Sequence, residues 1–226
     1  MHIRFQQADL RYGDRTALKP LTLELHEARV GVIGLNGSGK TSFARLIAGL
    51  AKPSSGAVTL DGLDTVNDEK AARAKTGFIF QNPGNQIILP LIREDVGLGP
   101  KSRGLAGPDV DRQVEDTLAR FGISDLAERR PHELSGGELQ LAALAAVCIN
   151  RPDVVIFDEP TNQLDLRNRA RVKAAIEGLA EQAVVISHDL DLIADYSRVL
   201  VFHEGALVFD GSGDAATARY REIAGC

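Results

Sequence analysis

Residues 28–41 read Ala28-Arg29-Val30-Gly31-Val32-Ile33-Gly34-Leu35-Asn36-Gly37-Ser38-Gly39-Lys40-Thr41, and this stretch decides the fold class. Its first half is an apolar run too short for a helix and closed by glycine, which predicts a buried strand. After it Phe43, Leu46, Ile47 and Leu50 recur at helical spacing until Lys52-Pro53-Ser54-Ser55-Gly56 stops the pattern. Between strand and helix stand a glycine, four residues and then Gly-Lys-Thr, the phosphate-binding loop pattern. Glycines let the backbone wrap closely round an anion, the amides of residues 37–41 point inward, and the following helix presents its positive end. In such a loop Lys40 reaches the β- and γ-phosphates of a nucleotide and the Thr41 hydroxyl binds Mg²⁺. The expected nucleotide-binding set is Asn36, Gly37, Ser38, Gly39, Lys40, Thr41 and Ser42.

Outward from this loop, apolar runs over 57–60, 76–80, 153–157, 183–186, 198–202 and 206–209 predict further strands, several buried on both faces. Residues 83–150 lack strand signals. Val110, Val114, Leu118 and Phe121 there share one helical face, and residues 138–149 are rich in Ala and Leu, which predicts helices inserted into an α/β core. A short helix is expected over 214–223. The expected organisation is one domain, with residues 1–84 and 151–226 forming the core and 85–150 the helical insert.

Composition narrows the function classes. The chain has 226 residues, 44% hydrophobic and 25% charged, an ordinary globular balance. Its 26 Lys plus Arg against 31 Asp plus Glu leave a net charge of -5, opposite to the footprint of a nucleic-acid binder. The longest apolar run, 141–149, has nine residues where a bilayer span needs roughly 20. The opening Met1-His2-Ile3-Arg4-Phe5-Gln6-Gln7 lacks a signal-peptide core, and Cys148 and Cys226 are too few for a disulfide framework. A reducing cytoplasm is the expected compartment, with Cys148 a core residue.

Two more stretches carry chemistry. Asp153-Val154-Val155-Ile156-Phe157-Asp158-Glu159 is an apolar strand ending in adjacent acids, whose desolvation calls for a positive partner. Mg²⁺ supplies it, with Asp158 holding the ion through its water shell and Glu159 orienting or deprotonating the water that attacks the γ-phosphorus. Leu134-Ser135-Gly136-Gly137-Glu138-Leu139-Gln140 reads as an N-cap and glycine turn opening a helix, a second anion site. One nucleotide loop hardly needs two such sites. A second copy docked head to tail would set this one against the first copy's γ-phosphate.

With these motifs in order, nearly the whole chain resembles the ATP-binding-cassette ATPases. The resemblance implies a P-loop NTPase core of the RecA type, with an inserted α-helical subdomain and an N-terminal antiparallel β region. It makes Gln81 a glutamine loop touching Mg²⁺ and the attacking water, Asn162-Gln163-Leu164-Asp165 a D-loop that places Asp165 at the nucleotide, and His188 a sensor of the γ-phosphate. By similarity Tyr12 stacks on adenine, and Ser135 and Gly137 bind the γ-phosphate across the dimer. The chain departs from the common pattern at Glu138, where glutamine is commoner, at Leu141, where a basic residue is frequent, and at Asn162.

A narrower resemblance rests on Gln81-Asn82-Pro83-Gly84-Asn85-Gln86-Ile87-Ile88 and on Arg93-Glu94-Asp95-Val96-Gly97-Leu98-Gly99-Pro100. They look like the energy-coupling-factor branch of importers for vitamins, biotin foremost, or for transition-metal ions such as cobalt and nickel. This implies ATP and Mg²⁺ as cofactors and a second ATPase copy as partner. It also implies a transmembrane coupling protein, a substrate-binding membrane subunit, and a place on the cytoplasmic face of the membrane. Ile87, Ile88, Leu89 and Leu91 form an apolar cluster that either receives a partner helix or packs in the core. The competing reading is a soluble cassette ATPase in iron–sulfur assembly.

Overall fold

The computed structural model describes residues Met1 to Gly225; Cys226 lies outside the described residues. In chain order the first elements are β1 (Ile3–Tyr12), β2 (Arg15–Leu25), β3 (Arg29–Gly34), α1 (Lys40–Ile47), β4 (Ser55–Leu60), β5 (Leu63–Asp64), α2 (Glu69–Ala74) and β6 (Thr76–Ile79). The helices α3 (Ile92–Val96), α4 (Leu98–Ser102), α5 (Pro108–Arg120) and α6 (Gly136–Cys148) follow. The chain continues through β7 (Val154–Asp158), α7 (Leu166–Glu177), β8 (Gln182–Ile186), α8 (Leu190–Ile193), β9 (Arg198–His203), β10 (Ala206–Gly211) and α9 (Gly213–Ala224). Internal contacts divide it into one unit of Met1–Gly77, Asp153–Glu159 and the chain from Glu181 on, and a second of Phe78–Pro152 and Pro160–Ala180.

The first unit holds two sheets. In the antiparallel sheet β2-β1-β4-β5, alternation decides the faces: Ile3 and Phe5 are buried with Leu23 and Leu25, while Arg4 and Glu24 turn outward. The second sheet carries β10-β9-β3-β8-β7, with β9, β3, β8 and β7 parallel and β10 antiparallel at the edge. Val154 to Phe157 and all of β8 are buried, which is why these strands are continuous apolar runs rather than alternating ones. Phe43 of α1 joins the layers, its ring 4.9 Å from Phe5 and 5.1 Å from Phe202. β3, β7 and β8 end at one edge of the parallel sheet, the edge where open α/β folds place their ligands.

The second unit is helical. Its centre is α6, which buries Gly137, Gln140, Leu141, Ala142, Ala143, Leu144, Ala145 and Cys148, nearly its whole circumference. Leu141, where the resemblance leads to the expectation of a basic residue, is 2% exposed. α5 lays Val110, Val114 and Leu118 inward, as its spacing predicts. Helix α7 went without a sequence signal because only Val172 and Ile176 are buried among its arginines. No helix among the described residues is long and apolar enough to cross a membrane.

Candidate functional site

Gly34 ends β3 with φ 153°, and a side chain there would meet the Phe202 carbonyl oxygen at 2.2 Å and Ser38 Oγ at 2.6 Å. Gly39 has φ 106°, and a Cβ would lie 2.7 Å from the Ala17 carbonyl oxygen. Only glycine meets both demands. Helix α1 then starts at Lys40, whose side chain is buried and donates to the carbonyls of Gly34 at 2.8 Å and Leu35 at 3.1 Å. Burial pushes the Lys40 ammonium below its ordinary range, and the charges of Glu159 and Asp158 pull it back up. Ser38 Oγ is buried without a hydrogen-bond partner. A buried ammonium, an orphaned hydroxyl and a cradle that a methyl group would fill are what a phosphate group satisfies.

β7 delivers the two acids to the same edge. Thr41 Oγ1 donates to Asp158 at 3.2 and 3.3 Å from its two oxygens. Burial raises the Asp158 carboxyl, opposed by the Thr41 hydrogen bond and by the charges of Arg45 and Lys40. A desolvated carboxylate beside a hydroxyl is a donor set that suits a hard divalent cation.

Glu159 sits at φ 57°, an unusual backbone for glutamate, fixed by its N–H donating to the Ile186 carbonyl at 3.0 Å. The fixed backbone turns its carboxylate toward His188, which follows β8. The His188 backbone N–H donates to Glu159 Oε2 at 3.1 Å, and His188 Nε2 lies 3.1 Å from Oε1. Burial raises the Glu159 carboxyl, opposed by the His188 backbone N–H and the Lys40 charge, with Asp158's charge adding to the rise; burial, with Lys40 adding, lowers His188. Both shifts work against a glutamate–imidazolium ion pair at this contact.

The first unit thus gathers Lys40, Thr41, Asp158, Glu159 and His188. Tyr12, at the end of β1, is 52% exposed. Asn36 and Gly37 are exposed, and Ser42 is half-buried. Two residues escaped the sequence reading. Arg15, the cross-strand partner of Tyr12, brings a guanidinium nitrogen within 3.7 Å of where a Gly37 side chain would stand. Arg45, one helical turn beyond Thr41, lends its charge to Asp158. The i,i+4 spacing from Thr41 was the available signal.

The second unit carries the remaining candidates. Ser135 caps α6 in a capping box: its N–H and hydroxyl donate to Glu138 Oε2 at 2.9 and 2.7 Å, and the Glu138 N–H donates to Ser135 Oγ at 3.4 Å. The Ser135 hydrogen bonds hold the Glu138 carboxyl below its ordinary range. A side chain on Gly137 would lie 2.4 Å from Asn168 Oδ1, so this glycine lets α6 approach α7. Asp165 caps α7, accepting the Asn168 backbone N–H at 2.8 Å and its amide at 3.1 Å. Both carboxylate oxygens of Asp165 are therefore engaged in shaping the helix start. Gln81 is exposed and lines a cleft of about 400 Å³ with Gly136, Leu139, Gln140, Asn162 and Gln163.

The segment after Gln81 has its own logic. Asn82 accepts the Gly84 N–H at 3.0 Å, closing a turn over Pro83–Asn85. Gln86 then folds back, accepting from Phe80 N at 3.3 Å and donating to Phe78 O at 3.1 Å. Buried Asp95 accepts the backbone N–H groups of Ile88 and Leu89 at 2.8 and 3.0 Å. The apolar cluster expected here is split, with Ile87 buried and Ile88 73% exposed.

Residues 18–162 match the family described as ABC transporter. The chain belongs to that family. It is an ABC ATPase, and it binds and hydrolyses ATP. It is 58% identical over 224 residues to "Biotin transport ATP-binding protein BioM" of Rhizobium etli, covering 99% of this chain and 100% of that protein. It is 34% identical to "Energy-coupling factor transporter ATP-binding protein EcfA" of Methanothermobacter thermautotrophicus, over 93% of this chain and 70% of that one. The solved structure of cbiO1 from Clostridium perfringens, part of the ABC transporter complex cbiONQ, superposes with a TM-score of 0.86 at 27% identity, covering 99% of this chain and 93% of that one. The ABC fold that the resemblance implies, with its N-terminal antiparallel β region, is the fold observed, and its core sheet is parallel except for β10.

Proposed function

We propose that this ABC ATPase is the motor subunit of an energy-coupling-factor importer of biotin, working as a head-to-tail pair on the cytoplasmic face of the membrane. The observation that carries the reading is end-to-end similarity to a biotin-transport ATPase, 58% identical over 99% of the chain. The Gln86 and Asp95 segment supports it, since hydrogen bonds on either side of it hold Ile88 exposed. A transmembrane coupling protein would seat there, and a membrane subunit would bind the vitamin. Cobalt or nickel import is the alternative within the branch.

In this mechanism Lys40 and the amides of residues 37–41 hold the β- and γ-phosphates, while Tyr12 stacks on the base. Thr41, Asp158 and Gln81 would hold Mg²⁺, which when bound neutralises charge on the phosphate oxygens. Glu159 takes a proton from the attacking water, and His188 holds the γ-phosphate side of the site. Ser135 and Gly137 of the second copy close over that phosphate, and Asp165 shapes the loop beside them.

The Glu159 carboxylate acts as base only when deprotonated. Because burial raises its pKa, turnover falls with decreasing pH while ordinary exposed carboxylates are still ionised. The residual turnover of Glu159→Gln lacks that acid limb, and a pH–rate profile of both proteins checks this.

Glu138 places a negative charge on the Ser135 hydroxyl that would meet the γ-phosphate. Glu138→Gln keeps the capping box and removes the charge. We expect KM for ATP to fall about three- to tenfold, equivalent to about 1 kcal/mol, read from steady-state ATPase assays.

Co-purification with membrane partners, followed by uptake of labelled biotin in reconstituted vesicles, tests the proposal. ATP-dependent uptake that is lost in Lys40→Ala supports it. Co-purification with soluble scaffold proteins alone, or uptake of cobalt or nickel in place of biotin, overturns it.

A further inference from the structure

At the base of the first hairpin, just ahead of β3 in the chain, stand donors that the ATPase reading does not use. The last antiparallel pair of β1 and β2 is Ile3 with Leu25, both fully buried, and Arg4 stands opposite Glu24. Strand alternation therefore turns His2, Arg4, Glu24 and His26 to the outer face. The His2 and His26 rings stack with centroids 4.1 Å apart and planes 21° off parallel. Glu24 Oε2 lies 3.4 Å from His2 Nε2 and 3.8 Å from His26 Nε2. One nitrogen from each ring and one carboxylate oxygen all lie within 4.8 Å of one another.

Two details turn this cluster from a polar patch into a ligand set. His2 Nε2 is shielded from solvent and makes no hydrogen bond, so a buried lone pair or N–H faces the carboxylate unsatisfied. Glu24 is also oriented: Arg4 Nε holds Oε1 at 3.1 Å, leaving Oε2 toward the rings. An outer partner on the far carboxylate oxygen is the usual support of a ligating acid. The Arg4 charge works against a cation here, and Glu24 offsets it. The His2 backbone N–H donates to Asp61 Oδ1 at 2.7 Å, which anchors the β1 end of the cluster.

We propose that His2, Glu24 and His26 form a site for a divalent transition ion of the Zn²⁺ class. Two imidazoles and one carboxylate suit such borderline ions, whereas Mg²⁺ and Ca²⁺ prefer oxygen donors throughout. Bond lengths of about 2.0–2.2 Å put neighbouring ligands of a tetrahedral ion roughly 3.4 Å apart, within reach of small rotations of these side chains. Water completes the fourth position. The ion clips the ends of β1 and β2, four residues before β3 leads into the phosphate loop.

The test titrates Zn²⁺ alone into nucleotide-free, Mg²⁺-free protein against a chromophoric chelator. The wild-type chain takes up one equivalent, and saturation at about a hundredfold over Kd raises Tm by about 5 °C. His26→Ala and Glu24→Gln weaken that equivalent at least about tenfold while Mg²⁺-dependent ATP turnover stays at the wild-type level. Asp158→Asn leaves the Zn²⁺ equivalent in place, which separates this site from the phosphate loop. Failure to hold one equivalent, or an equivalent that survives both hairpin variants, overturns the assignment.

Discussion

Lys40→Ala is expected to lose ATP binding by at least about a hundredfold while the nucleotide-free protein stays folded. The ammonium is buried, donates to the backbone carbonyls of Gly34 and Leu35, and feels the charges of Glu159 and Asp158. Burial depresses its pKa, so the folded state disfavours the charge and the lysine contributes little to stability on its own. Opposite a phosphate the same charge becomes a short, charge-assisted contact in a water-poor cradle, where losing one such donor costs about 3 kcal/mol or more. The checking measurement is thermal unfolding with and without ATP. The variant should match the wild type without nucleotide and show no ATP-dependent rise, and a retained rise would remove Lys40 from the phosphate site.

Glu159→Gln should lower turnover by about a hundred- to ten-thousandfold and leave ATP binding intact or tighter. Glutamine keeps an oxygen to accept the His188 backbone N–H, so the contact that fixes the side chain survives. It cannot take a proton from water. It also removes a carboxylate that would repel a γ-phosphate. Single-turnover hydrolysis measured beside equilibrium ATP binding separates the two effects. Turnover within threefold of the wild type would dismiss Glu159 as the base.

What could be read from the sequence follows from how locally each feature is encoded. A phosphate loop is built from consecutive backbone amides, so residues 34–41 carry it in one line of sequence. The continuous runs of β7 and β8 report burial on both faces. β1 and β2 have only alternation to offer, and their sheet was reached through the family likeness. The tilt of Glu159 toward His188 depends on a left-handed backbone that no composition signal marks. The fold-back of Gln86 onto Phe78 and Phe80, and the grip of Asp95 on Ile88 and Leu89, need three-dimensional register. The approach of His2 to His26 needs the hairpin pairing itself. The arginines of α7 conceal a helix that is capped by Asp165 and buries two side chains.

In the proposed pair, Ser135 of one copy completes the phosphate loop of the other. Sedimentation of the Glu159→Gln protein with ATP tests it most directly, with Ser135→Arg added to the same background. The expected result is a dimer in ATP, a monomer in ADP, and a monomer in both nucleotides once Ser135 is replaced. A chain that remains monomeric in ATP, or a dimer indifferent to Ser135, would contradict it.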